Sequence, residues 1–173
     1  MNDLFSDYPS KIKASTQRGD LWYARLHGLY AVHGPIPSHC SAEIVSVIEE
    51  GKLVVCRGDP TKLPAPCDLP AITPVYALGQ SDVPAVPDGL VLVRFSDHVQ
   101  ADLQRNALLQ IGYVIDRVLP YALQAAWVRS AEDDIAAALR GISELEALPE
   151  VVNVEPQMLM QAARRGAGTT LRA

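Results

Sequence analysis

An α+β fold is predicted for this 173-residue chain by three observations. Apolar, β-branched runs recur along its second half, two segments between them carry helical spacing, and proline or glycine marks most of the boundaries. The segments follow the order strand, helix, strand, strand, helix, strand, which narrows the architecture further than composition can.

Residues 90–95 (LVLVRF) follow Pro87, Asp88 and Gly89 and suit a strand covered on both faces. From about 100 to 111, Leu103, Ala107 and Leu108 fall at helical spacing, and Gly112 stands where a helix would stop. Residues 113–118 and 124–129 read as two strands of a hairpin about Leu119, Pro120 and Tyr121. Residues 130–148 hold the strongest helical pattern. Ser130 with Asp133 matches a capping box, the acids at 132–134 sit at the positive end of the helix dipole, and Ile135, Leu139, Ile142 and Leu145 trace one face. Pro149 ends it, and residues 151–155 (VVNVE) form a last short strand before Pro156.

This βαββαβ order predicts a ferredoxin-like plait, in which two right-handed crossovers place both helices on one side of a four-stranded antiparallel sheet. The other face is left without a layer and calls for a partner surface or a polar coat. Trp127 is either core or the aromatic anchor of that face, since Ala126 and Val128 could equally point inward. Asp116 interrupts the second strand and must reach solvent or a partner, because a buried unpaired carboxylate is costly.

The succession GLVLVRF, ADLQRNALLQIGYVIDRVL, AAWVRS and IAAALRGISELEALPEVVNVEPQ resembles the propeptide domain of subtilisin-like serine peptidases, a family that includes stand-alone proteinase inhibitors. Residues 145–157 carry the most specific part, a helix end, Ala-Leu-Pro-Glu-Val, a hydrophobic strand and Glu-Pro. The resemblance covers roughly residues 87–160, under half of the chain. It implies a trans-acting inhibitor, a folding chaperone, or both. In that family the open sheet face docks on surface helices of the peptidase, and the segment after the last strand lies in the substrate cleft like a bound product. Here that segment is 156–163 (PQMLMQAA), and an extended peptide in a cleft pairs as an added strand. The implied partner-binding residues are Trp127, Glu150 and Glu155, with Met158, Met160 and Ala163 in the cleft segment. Met160 would sit near the fourth pocket and Ala163 near the primary one. Acids such as Glu150 and Glu155 would cap N-termini of the peptidase's helices. A peptidase domain with its Asp, His and Ser would need far more than the 18 residues from 156 to 173, so a non-enzymatic chain acting on a separate peptidase is expected. The alternative is a ferredoxin-like interaction or regulatory module without protease binding.

Residues 1–57 are expected to form a small α+β module of unknown role. Residues 1–19 are polar, a frayed arm or a short helix. Residues 21–33 (LWYARLHGLYAVH) read as one strand or two with Gly28 as a bulge or turn, and Gly34 to Pro37 stop them. Ser41 is placed to cap a short helix through Glu50, with Ile44, Val47 and Ile48 on one face, and residues 52–56 (KLVVC) form a strand. Seven of the thirteen prolines fall between residues 58 and 89. That density excludes a regular helix and predicts a linker over 58–86, or a loop wrapped on a domain, with residues 74–78 as an edge strand. The plait takes 87–157, and 158–173 is a flexible basic tail.

The net charge of −5 is uneven: residues 1–89 carry 7 basic and 10 acidic side chains, 90–155 carry 5 and 10, and 156–173 carry 3 and 0. An acidic body with only Arg164, Arg165 and Arg172 at its end argues against a nucleic-acid partner. No apolar run approaches 18 residues and no basic, apolar leader opens the chain, so neither a membrane partner nor secretion is expected, and the location expected is cytoplasmic. Three cysteines are expected to stay reduced. His27, His33 and His39 recur every six residues beside Cys40, without the close pairs that metal ligands favour, so no metal is expected. Cys40 or Cys56 with His33 would need adjacency and a lowered thiol pKa to act as a nucleophile pair, and Cys56 reads instead as a buried apolar thiol. The glycines at 28, 34, 51 and 58 form no phosphate loop, and no cofactor is expected.

Overall fold

A computed structural model describes residues 4–38, 41–62 and 71–161. Among them nine strands form one antiparallel sheet: β1 (Lys11–Lys13), β2 (Trp22–Val32), β3 (Glu43–Ile48), β4 (Leu53–Arg57), β5 (Ile72–Leu78), β6 (Ala85–Phe95), β7 (Tyr113–Leu119), β8 (Ala122–Ser130) and β9 (Val151–Met160). Three short helices are α1 (Arg105–Gln110), α2 (Ile135–Arg140) and α3 (Ile142–Glu146). The strand order is β3-β4-β2-β5-β6-β8-β7, with β1 on β2 and β9 on β6. The fold is mixed α+β and mostly sheet.

In the second half the neighbours run β9-β6-β8-β7, and two helical crossovers join β6 to β7 and β8 to β9. Strand alternation sends Val91 and Val93 of β6, Ala126 and Val128 of β8 and Val154 of β9 into one core with Leu108, Leu139, Ile142 and Leu145 from the helices. The expected helix over 130–148 divides into α2 and α3. Its cap is Asp134, whose carboxylate accepts from the N–H groups of Ala136 and Ala137, and not Ser130, whose hydroxyl accepts from Glu132 N–H. The division falls at Gly141 because Tyr113 passes beneath it: a Cβ there would stand 2.6 Å from the Tyr113 hydroxyl, which donates to the Ala138 carbonyl.

The first half departs more from expectation. Residues 43–48 are a strand, not a helix. Ile44, Val45, Val47 and Ile48 are β-branched, and extended backbone accommodates that branching better than a helical turn. The β3-β4 connection then needs left-handed residues at Glu49, Glu50 and Gly51, with φ of 51°, 55° and 94°. Residues 74–78, expected as an edge strand at most, belong to β5 (Ile72–Leu78), which lies between β2 and β6. Pro74 is tolerated there because β2 shifts register just before its partner Tyr30, at the bulge about Gly28, and β6 meets β5 at Tyr76 opposite Ala85. Of the proline-rich stretch, residues 72–78 and 85–86 thus belong to the sheet, whereas Pro64, Pro66 and Pro70 lie outside the described residues.

The last strand is also longer than expected. It passes through Pro156, which faces Val91, and continues with Met158 opposite Pro87 and Met160 opposite Ala85. Residues 158–160, expected to open a flexible tail, are therefore strand. Residues 4–18 form neither a frayed arm nor a helix around β1. Thr16 N–H donates to the Val154 carbonyl, its hydroxyl donates to Glu146 and accepts from Val154 N–H, and Ser15 donates to Asn153 at 2.8 Å. The path β1-β2-β5-β6-β9 consequently returns to its own beginning. Ile12, Tyr23, Tyr76 and Ala85 share the same core cluster as Val91 and Leu139.

Two substitutions test this packing. Leu139, 3% exposed, should lose about 2–5 kcal/mol on change to alanine in chemical denaturation. Gly141→Ala should cost about 1–3 kcal/mol through overpacking against Tyr113, and Tyr113→Phe combined with it should recover part of that loss.

Candidate functional site

On the face of β6, β7, β8 and β9 turned away from the helical core, one row of side chains runs from β9 to β7. Glu155 on β9 lies opposite Leu92 on β6, Leu92 opposite Trp127 on β8, and Trp127 opposite Arg117 on β7. Burial of Ala126 and Val128 fixes the parity left open by the sequence, so Trp127 points away from the helices and is only half-buried.

Arg117 reaches this row through a bulge. Ile115 pairs with Val128 and Arg117 with Trp127, so Asp116 is an extra residue on β7. Regular alternation would place residues 115 and 117 on the same face, whereas the bulge keeps Ile115 against the core and turns Arg117 over the indole, 5.7 Å from the ring centre. The displaced Asp116 is exposed, as its chemistry demands, and lies 3.5 Å from Arg117 and 3.9 Å from Arg129. Arg129 also pairs with Asp133, and Arg94 with Asp97 at 3.2 Å. At the border, burial pushes the Asp88 carboxyl upward, the charge of Glu49 adds to that rise, and Arg117 opposes it.

An apolar centre of Leu92 and Trp127 is thus ringed by arginines that already hold aspartates. Exposed pairs of this kind contribute about 0–1 kcal/mol each, so they can exchange partners with an incoming carboxylate at small cost. Such an arrangement suits burial of an apolar surface within a charged rim. Aromatic and arginine residues inside a polar rim are what protein interfaces concentrate.

The other expected site residues are distributed unevenly. Glu155 joins the row, half-buried and accepting from Asn153 Nδ2 at 2.8 Å. Glu150 stands outside it at the α3-β9 turn with φ of 66°, exposed and 3.5 Å from His98. Met158 packs on the main core, Met160 is 43% exposed, and Ala163 lies outside the described residues. Sequence inspection missed Leu92, Arg94, Arg117 and Arg129. Alternation in LVLVRF carried a signal for Leu92 and Arg94, but nothing local announced the bulge that places Arg117.

In the first half, His33 contacts the Thr73 hydroxyl at 2.9 Å and Cys56 is fully buried beside Tyr30; burial pushes its thiol pKa up, and the hydrogen bond with Tyr30 opposes that rise. His39 and Cys40 lie outside the described residues. Among the described residues no three His, Cys, Asp or Glu side chains cluster as a metal site would require, and no helix is long and apolar enough to cross a membrane. Comparison with protein-family models, curated proteins and solved structures finds no match.

Burial lowers the His33 pKa from its ordinary 6.5, so the unfolded chain takes up this proton more readily than the folded one. The stability held by neutral His33 is present above pH about 6.5 and is lost as pH falls through that value toward the folded pKa. The fall in melting temperature from pH 7 to pH 5 should be shallower in His33→Gln than in the parent; equal slopes would assign the acid sensitivity elsewhere.

Proposed function

We propose that this chain binds a subtilisin-like serine peptidase on a separate chain, as an inhibitor, a folding chaperone or both, through the face centred on Trp127. The observation that carries the proposal is the row Glu155, Leu92, Trp127, Arg117, an aromatic anchor on a sheet face without helices. The neighbour order β9-β6-β8-β7 with its two helical crossovers supports a ferredoxin-like plait, the scaffold that the sequence resemblance implies. Fold likeness does not by itself carry an activity, so the face has to bear the argument.

The proposal takes a modified form at the cleft. Residues 156–160 pair with β6 and have no free backbone edge on that side, which assigns Met158 to packing. The product-like segment therefore begins after Met160, with Ala163 retained as its pocket residue. Glu155 and Glu150 supply negative charge toward helix N-termini of the peptidase, Glu155 from the face and Glu150 from its exposed turn. The second reading is a regulatory module whose face takes a different protein, favoured by the mixed charge of the rim.

Titration of a subtilisin-type peptidase distinguishes them. The parent chain should inhibit, Trp127→Ala should raise the inhibition constant about 30-fold or more, and removal of residues 161–173 should abolish inhibition while leaving binding measurable. Inhibition unaffected by Trp127→Ala would remove the face from the mechanism. Absence of both binding and inhibition would leave the regulatory module.

A further inference from the structure

A cavity of about 510 Å³ opens between β1 and the elbow of α2 and α3, on the helix side of the sheet and away from Trp127. That volume falls within the range of small-molecule sites, which are concave, mainly apolar and furnished with a few polar groups. Ile12, Leu139 and Ile142 form its apolar wall. Trp22, 40% exposed, forms another, with the Lys13 ammonium 5.9 Å from its ring centre.

The charges around this cavity do not balance. Its one acid, Glu146, is engaged by Lys13 at 3.3 Å and by the Thr16 hydroxyl at 2.9 Å. Lys11 and Arg140 also line it, and among the described residues neither has an ion-pair partner; Arg140 donates to the Asp7 carbonyl. The carboxylates of Asp7 and Asp134 act on Tyr8 nearby but do not line the cavity. Glu132 and Glu144 share a neighbouring cleft with Arg140, but within this cavity Lys11 and Arg140 border an apolar space whose lining acid, Glu146, is already engaged.

We propose that this cavity binds a small amphipathic carboxylate, an aliphatic or aromatic body bearing one anionic head. The body would displace water from the exposed part of Trp22, above the buried Leu139 and Ile142, and the head would accept charge-assisted hydrogen bonds from Lys11 and Arg140. A cationic amphiphile meets the wrong sign. So does the chain's own stretch 162–173, which brings three arginines and no acid.

The test uses the full chain and decanoate, well below its micelle threshold, with the two tryptophan indole N–H resonances as reporters. Trp22→Phe assigns them. Decanoate should move the Trp22 resonance saturably and leave that of Trp127 in place, while decyltrimethylammonium moves neither. The double variant Lys11→Gln, Arg140→Gln should bind about tenfold more weakly or worse, as loss of bonds to a charged group requires. Ser143→Phe, filling the cavity from an exposed lining position, should abolish the shift. The proposal is overturned by no saturable shift, by both indoles moving together, by equal response to the cation, or by undiminished affinity in the double variant.

Discussion

Strand β6 holds two sets of neighbours, and the rest of the molecule depends on how it manages both. Its first residues meet β5 and the end of β9; its last residues meet β8 and the start of β9. No straight ribbon does this comfortably. The change occurs across Pro87, Asp88 and Gly89, where register against β9 shifts and Gly89 adopts a φ of 90°. Asp88 accepts from Leu90 N–H at 2.9 Å, closing a local turn within the strand, and a Cβ on residue 89 would stand 3.1 Å from Ile135 of α2. Glycine is required there both by conformation and by the approach of the helix.

From this bend follows the closure of the first half on the second. Once β5 is seated beside β6, β2 and β1 follow, and residues 15 and 16 reach the far edge of β9 to bond Asn153, Val154 and Glu146. An edge that would otherwise present unpaired backbone is covered by the chain's own beginning. That covering anchors the start of β9 through Ser15 and Asn153, while pairing with β6 carries the strand on through Met160. The same closure brings β1 against α2 and α3, and the cavity between them is bounded by side chains from positions 9 to 146.

The candidate face shows how a small irregularity sets chemistry. Without the bulge at Asp116, regular alternation would put Ile115 and Arg117 on the same face of β7. With it, Ile115 stays in the core, Arg117 covers the indole, and Asp116 is left exposed between two arginines.

The sequence alone determined the α+β class, the order of elements from 90 to 155, an irregularity at Gly28, as bulge or turn, and the apolar helix face of Leu139, Ile142 and Leu145, because these rest on local periodicity and on residues with narrow backbone preferences. It could not separate helix from strand at 43–48, where four apolar residues fit either period and pairing with β4 decides. Nor could it place residues 72–78 and 156–160, since prolines that forbid a helix say nothing of whether a bulge elsewhere will admit them to a sheet. Trp127 was legible as a candidate, but its direction was a matter of parity, settled only when Ala126 and Val128 found a core to enter. Arg117 beside that indole, and Lys11 with Arg140 about the cavity, are meetings of residues distant in the chain. Local preference has no term for such meetings; the pairing register across strands and the seating of helices on the sheet supply it.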